Sequence, residues 1–226
     1  MFPTESPGAR VNAVIFDIDG TLVDSNDGHV EAWHEAFRRS GYAISRGAIR
    51  LEIGKGADML IPSLVPDVPE TELNQIAQWH DDIFRADYRP RVRPFEGARE
   101  LIERLSGSGR EVALVSSSAS TDVDYCVELL DVRSKLRAVV SGDEVRRSKP
   151  AGDLFDQVLS RLLPASAEQV LAVGDTPHDV AAAARCHIRT LAVRSGGSSE
   201  ARLIAAGAAA VFAGVNDPSL LAYLSL

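Results

Sequence analysis

The sequence predicts an α/β fold in which a doubly wound parallel sheet is interrupted by one all-helical insertion. Short runs rich in Val, Leu and Ala recur along the chain, and helical patterns lie between them. From about residue 28 to residue 91 helical periodicity continues without a convincing strand, which predicts the insertion. With 226 residues, the chain is long enough to bury a substantial apolar core.

Five apolar runs have the length of buried parallel strands, and each is followed by polar residues or glycine. They cover residues 11–16, 111–115, 137–140, 169–173 and 190–193. Amphipathic helical patterns follow, around residues 98–105, 123–130, 155–162 and 179–185. Polar residues 25–28 and two prolines, Pro90 and Pro94, bound the insertion and suit a two-stranded hinge. We therefore expect a core of residues 1–25 and 92–226 and a helical domain of residues 26–91.

Composition and charge argue against several classes of protein. The formal net charge of -8 disfavours a nonspecific nucleic-acid binder. The longest apolar stretch, near residues 204–215, is too short and too rich in Gly and Ala to span a bilayer, and the first eight residues lack the features of a secretory leader. Cys126 and Cys186 have no paired spacing and are expected to be small buried hydrophobes. We expect a cytoplasmic protein without nucleic-acid or membrane partners, either a monomer or a homodimer.

The most informative motif is Asp17-Ile18-Asp19-Gly20-Thr21, directly after the first apolar run. It brings two acids to the carboxyl end of a strand, where open α/β proteins bind their ligands. Acids this close repel each other unless a cation lies between them. The motif therefore indicates a metal site, although an acidic turn after a strand is the simpler alternative.

Reactive residue types also follow the other predicted strands. Ser116 and Ser117 follow the second run, Lys149 precedes a proline beyond the third, and Asp175 and Asp179 follow the fourth. Taken singly, each could be a helix cap or a surface residue. Because parallel strands align their carboxyl ends, we expect the groups to converge in one crevice. Hydroxyl and backbone N–H groups there suit phosphate oxygens, and the acids suit Mg²⁺, which usually binds a phosphate oxygen as well.

These four motifs, in this order, resemble those of the haloacid dehalogenase-like superfamily of phosphotransferases, and the likeness spans nearly the whole chain. The insertion falls between the first and second motifs, as does the type 1 helical cap of phosphoglycolate phosphatase-like and β-phosphoglucomutase-like members. His29 and Trp33 extend the likeness, since that subgroup commonly has a His and a Trp there. The resemblance implies a Rossmann-like core, a cap domain, Mg²⁺ as cofactor and a small phosphorylated metabolite as substrate.

The resemblance also implies roles for the matching core residues. Asp17 would be the nucleophile that becomes an aspartyl phosphate, and Asp19 the general acid and base. Ser116 would donate to a phosphoryl oxygen, and Lys149 would neutralise charge on the nucleophile and the transferring group.

The implied metal ligands are Asp17, the main-chain carbonyl of Asp19, and Asp175. Asp179 would assist through water or by fixing Lys149.

Five further residues are candidates for binding the substrate. Thr21 and the N–H groups near Gly20 and Ser117 would complete the phosphate cradle. Lys55, on a glycine-flanked loop of the insertion, is the candidate contact for the rest of the substrate, against the alternative of a flexible surface loop. His29 would bond Asp19 or the substrate, unless it only lies on the surface of a helix.

We expect a Mg²⁺-dependent phosphatase, with a β-phosphoglucomutase-like phosphomutase as the alternative, because the same aspartyl phosphate can pass to a second hydroxyl. Gly174 stands before Asp175 where mutases more often carry Glu, which favours hydrolysis. A noncatalytic protein that binds metal or phosphate on the same fold also stays open at this point.

Overall fold

The computed structural model describes residues 11–226, so the expectation about a secretory leader lies outside the described residues. The strands are β1 (Ala13–Asp17), β2 (Val23–Asp24), β3 (Arg93–Pro94), β4 (Glu111–Val115), β5 (Ala138–Val140), β6 (Val170–Gly174), β7 (Arg189–Val193) and β8 (Ala210–Phe212). The helices are α1 (Asn26–Arg39), α2 (Arg46–Glu52), α3 (Ala57–Leu64), α4 (Glu70–Ile83), α5 (Ala98–Gly107), α6 (Ser120–Leu130), α7 (Asp153–Arg161), α8 (Pro177–Arg185), α9 (Glu200–Ala205) and α10 (Pro218–Tyr223).

Six strands form one parallel sheet in the order β5-β4-β1-β6-β7-β8. Strand β1 lies at its centre, with Val14 beside Val112 of β4 on one side and Leu171 of β6 on the other. The α/β fold class predicted from the alternation of apolar runs and helices is confirmed. Strand β8 was not predicted, because its three residues lie in a Gly/Ala-rich stretch without strand periodicity.

The sheet is covered on both faces, as a doubly wound fold requires. Side chains of β1 alternate between the faces: Val14 and Phe16 pack into one apolar cluster with α5 and α6, and Ala13 and Ile15 pack into another with α7 and α8. Strand β1 is buried along its whole length. The residues at its carboxyl end are therefore held by a strand that is packed on every side.

Helices α1 to α4 form the inserted segment, which has an apolar cluster of its own. Phe37 of α1, Ile49 of α2, Leu60 of α3 and Ile76 of α4 are all fully buried in it. The segment joins the sheet through the antiparallel pair β2 and β3, in which Val23 lies opposite Pro94. The division of the chain into two domains at residues 26 and 91 stays a prediction.

None of the helices within residues 11–226 is both long and apolar enough to cross a lipid bilayer.

Candidate active site

Three acids from the carboxyl ends of two neighbouring strands, and from the helix after one of them, meet beside β1. Asp17 is the last residue of β1, Asp175 follows β6, and Asp179 lies in the first turn of α8. One carboxylate oxygen from each lies within 4.8 Å of the other two, and all three residues are buried. The predicted convergence of Asp17, Asp175 and Asp179 is therefore present in the structure.

Lys149 supplies a buried positive charge to this cluster. Its ammonium group forms an ion pair with Asp17 and a second one with Asp179 Oδ1 at 2.7 Å, and the residue is 0% exposed. Burial alone would lower the pKa of this ammonium group, but the two carboxylates outweigh burial and raise the pKa above its ordinary value. Lys149 is thus held protonated against Asp17.

The electrostatics of the acids show an excess of negative charge. Burial raises the pKa of Asp17 to about 7, opposed by Lys149 and reinforced by Asp179 and Asp19. Burial, followed by repulsion from Asp17 and Asp179, also raises the pKa of Asp175 well above its ordinary value. One lysine therefore does not compensate the buried carboxylates.

This donor set fits a hard divalent cation. The three acids present oxygen ligands close together, as Mg²⁺ and Ca²⁺ require, and a bound cation would remove the repulsion that raises their pKa values. In addition, Oδ1 of Asn26, a residue that is 5% exposed, has no hydrogen-bond partner within residues 11–226. Asp17, Asp175 and Asp179 are the residues that could hold the metal.

The start of α8 fixes Asp179 through a capping box. The Thr176 side chain donates to Asp179 Oδ2 at 2.6 Å and accepts from the Asp179 backbone N–H at 3.2 Å, while the Thr176 N–H also donates to Oδ2 at 3.0 Å. Because Oδ2 is occupied in this way, Oδ1 is directed to Lys149.

Asp19 is directed away from the three-acid cluster and is surrounded by donors. Ser25 donates to its Oδ1 at 2.7 Å, and Ser116 and Ser118 donate to Oδ2 at 3.2 and 3.0 Å. His29 Nε2 lies 3.3 Å from Oδ1. Burial would raise the pKa of Asp19, but His29 and these hydroxyls together lower it below its ordinary value. The two acids of the Asp-x-Asp motif thus have opposite pKa shifts.

A second histidine lies behind His29. His29 Nδ1 is 3.2 Å from His80 Nε2, and His80 Nδ1 is 3.0 Å from Asp81 Oδ1. Phe84 stacks on His29 and Trp33 stacks on His80, each with ring centroids 3.8 Å apart. The sequence predicted a contact for His29 but gave no indication that His80 would meet it.

The glycine-flanked loop of the inserted segment contacts the sheet end directly. The Ser117 side chain donates to the Gly54 carbonyl at 3.0 Å, and the Gly56 N–H donates to Ser148 Oγ at 2.8 Å. The Ser148 N–H donates to Asp58 Oδ2 at 2.9 Å. Ser117, predicted to hold phosphate, therefore uses its hydroxyl to hold this loop.

Lys55, the predicted substrate contact on that loop, lines the cavity but is already engaged. Its ammonium group forms an ion pair with Glu52 and donates to Ser63 Oγ at 2.8 Å, within the inserted segment. These partners lie three and eight residues away in the chain.

Two residues that contact or crowd Asp175 were also missed by sequence reasoning. The Asn26 side-chain amide donates to Asp175 Oδ2 at 3.0 Å and to the Gly196 carbonyl at 3.1 Å. A Cβ atom at Gly196 would overlap Asp175 Oδ2 and the side-chain nitrogen of Asn26. A Cβ atom at Gly20, whose φ is +78°, would overlap the same two atoms. The sequence marked Asn26 only as part of a polar boundary, since its partners are 149 and 170 residues away.

Comparisons with known proteins show the family to which the chain belongs. Residues 14–193 match the model of a family described as haloacid dehalogenase-like hydrolase. A phosphoglycolate phosphatase of Vibrio cholerae is 28% identical over 181 residues, covering 76% of this chain and 80% of that protein. A pyrophosphatase PpaX of Anoxybacillus flavithermus is 23% identical over 185 residues, covering 81% and 84%.

The crystal structure of a hydrolase from Pseudomonas syringae is 27% identical and superimposes with a TM-score of 0.88, over 95% of this chain and 98% of that one. The family match covers most of the chain, and the matched residues include the acid cluster described above. The resemblance drawn from the motifs is thereby confirmed, and the chain belongs to the haloacid dehalogenase-like hydrolase family.

Proposed function

We propose that the protein is a Mg²⁺-dependent phosphatase that hydrolyses a small phosphate monoester through an aspartyl phosphate on Asp17. The observation that carries this proposal is the pairing of two neighbouring acids with opposite environments. Asp17 contacts Lys149 and lies with the other acids of the cluster, whereas the Asp19 side chain has hydroxyl groups and a histidine as its partners within residues 11–226. Asp17 thus lies among the acids that could hold the metal, as a nucleophile for phosphorus requires, and Asp19 lies apart from them, as a separate proton-transfer group requires.

In the first half-reaction, a carboxylate oxygen of Asp17 attacks phosphorus, and the bond from phosphorus to the alcohol oxygen breaks. Asp19 transfers a proton to that leaving oxygen, so that an alcohol departs. Lys149 and the Ser116 hydroxyl are near the acids and support the negative charge on the transferring group. A bound phosphate dianion would raise the pKa of Asp19 by repulsion, so proton uptake would accompany binding.

In the second half-reaction, water attacks phosphorus and releases Asp17 as a carboxylate. Asp19, now ionised, accepts the proton of that water. The donors that lower the pKa of Asp19 favour this ionised form.

Asp17, Asp175 and Asp179 would hold Mg²⁺, with the Asp19 carbonyl as the further ligand that the family resemblance implies. When bound, the ion supplies charge neutralisation between the carboxylate nucleophile and the phosphate.

The test is inorganic phosphate release from a panel of small phosphate esters with Mg²⁺, comparing the native protein with Asp17→Asn. Asp131→Asn, a change of an exposed carboxylate outside the cavity lining, is the matched control. We expect release that requires both Mg²⁺ and Asp17, and an acid-stable, hydroxylamine-sensitive phosphoprotein when labelled substrate is quenched during turnover.

Other outcomes of this experiment would support a different function. An isomeric phosphate ester in place of free phosphate would favour the phosphomutase alternative. Release that survives in Asp17→Asn would refute the aspartyl phosphate, and a protein with no Mg²⁺ affinity would favour the noncatalytic alternative.

A further inference from the structure

The cavity beside the acid cluster is lined by more acidic than basic residues. It has a volume of about 260 Å³, small for a ligand site, and it lies between the inserted segment and the sheet end. Away from Asp17 and Asp19, its charged lining residues are four acids and two bases: Asp58, Asp81, Asp122, Asp143, Lys55 and Arg146.

The cationic groups near this cavity are mostly engaged by protein carboxylates. Lys55 is paired with Glu52, as described above. Arg85 and Arg89, at the end of the inserted segment, both form ion pairs with buried Asp122, at 3.0 and 3.2 Å. These bases neutralise the protein's own acids and are not free to receive a second acidic group of a substrate.

Two of the acids keep an oxygen for a ligand. Asp58 uses Oδ2 to accept the Ser148 N–H, and Asp143 uses Oδ2 to accept the Ser120 N–H at 2.6 Å. For neither residue does the described part of the chain provide a hydrogen bond to Oδ1 or a salt bridge. Arg146 also lines the cavity, and no ion pair is formed by it within residues 11–226, so two open carboxylates outnumber this one open base.

We infer that the leaving group of the substrate is uncharged or cationic and carries hydrogen-bond donors, as in a polyol phosphate or an amino alcohol phosphate. Carboxylates accept hydrogen bonds from hydroxyl and ammonium groups and repel a second carboxylate or phosphate. The metal and Lys149 would bind the phosphate itself, so the selection would act on the other end of the substrate. This inference rests on the proposed phosphatase function, and it departs from the substrates in the names of the phosphoglycolate phosphatase and pyrophosphatase relatives.

The experiment uses three two-carbon esters of similar size that differ in the charge of the terminal group. These are phosphoglycolate, 2-hydroxyethyl phosphate and phosphoethanolamine, assayed for phosphate release with Mg²⁺. We expect kcat/KM for the uncharged and cationic esters to exceed that for phosphoglycolate at least tenfold. A kcat/KM for phosphoglycolate equal to or above the others would overturn the inference.

Two variants test whether Asp58 and Asp143 cause the discrimination against phosphoglycolate. The double change Asp58→Asn and Asp143→Asn keeps size and removes charge, so it should reduce the discrimination against phosphoglycolate severalfold. Asp67→Asn, on the inserted segment but outside the cavity lining, should leave it unchanged. An unchanged preference in the double variant would show that these carboxylates do not select the substrate.

The failure of this inference can be separated from that of the phosphatase assignment. p-Nitrophenyl phosphate serves as a general substrate, and each two-carbon ester is also measured as its competitive inhibitor. If p-nitrophenyl phosphate is hydrolysed but phosphoglycolate binds most tightly, only the charge inference fails. If no ester releases phosphate, the phosphatase assignment fails, and the inference that depends on it fails too.

Discussion

Replacing Asp17 by Asn should stabilise the metal-free protein while abolishing phosphate release. The Asp17 carboxyl group is buried, and its pKa is raised from 3.8 to about 7. A folded-state pKa above the unfolded value means that the folded protein binds the proton more tightly than the unfolded chain. Stability is therefore lost as the pH rises from about 4 to about 7, and the whole penalty is present above that range.

The magnitude follows from the size of this shift. A difference of about three pH units corresponds to about 4 kcal/mol of unfolding free energy, at about 1.4 kcal/mol per unit. At pH 5 the unfolded chain has already lost this proton while the folded protein still holds it, and the penalty is about 2 kcal/mol. Asparagine has nearly the same shape as the protonated acid and does not ionise. The Asn variant should then be more stable than the native protein by about 4 kcal/mol at pH 8 and by about 2 kcal/mol at pH 5.

The assay is chemical unfolding in EDTA at several pH values, followed by the fluorescence of the two tryptophans, Trp33 and Trp79. Asp131→Asn provides the control for removing a carboxylate without altering the cluster. With saturating Mg²⁺ the difference in stability between the Asn variant and the native protein should shrink or change sign. A ligand that binds only the folded state adds more stability to the protein that binds it more tightly, which here is the native protein. A variant less stable than the native protein at pH 8 in EDTA, or one with the same pH dependence, would refute the reasoning.

Three further predictions concern residues around the cluster. Asp19→Asn should lower the rate of phosphate release at least about 100-fold, because the variant lacks the general acid and base. Calorimetric titration should show that its affinity for Mg²⁺ is retained. A loss of Mg²⁺ binding would contradict the separation of the two acids. Asn26→Ala removes an amide that orients Asp175, so the Kd for Mg²⁺ should rise about tenfold, and an unchanged Kd would show that the amide is not needed. Gly196→Ala forces a Cβ atom onto Asp175 Oδ2, so we expect about 1–3 kcal/mol of destabilisation in denaturant melts, and native stability would mean that the loop moves away without cost.

Much of the core could be predicted from the sequence because its strands are buried on both faces. Strands β1, β4 and β6 are apolar along nearly their whole length, and the polar residue types after them stand out against that background. Strand β8 gave no such signal, because it is three residues long at the edge of the sheet. The basic run of residues 85–93 has the composition of a solvated face, yet Arg85 and Arg89 pair with the buried Asp122.

The sequence alone determined the fold class, the family resemblance and the candidate acids Asp17, Asp19, Asp175 and Asp179, because each depends on local patterns of burial, spacing and residue type. Only the tertiary structure decided which partners these acids have. The Asn26 contact with Asp175 and the Ser118 contact with Asp19 join residues 149 and 99 positions apart.

Similarly, only the structure decided that Lys55 is engaged within its own segment and that His80 supports His29. Hydrogen bonds and ion pairs depend on distances of a few ångströms between side chains. Those distances are set by how the inserted helices pack against one another and against the sheet, which the local sequence pattern does not specify.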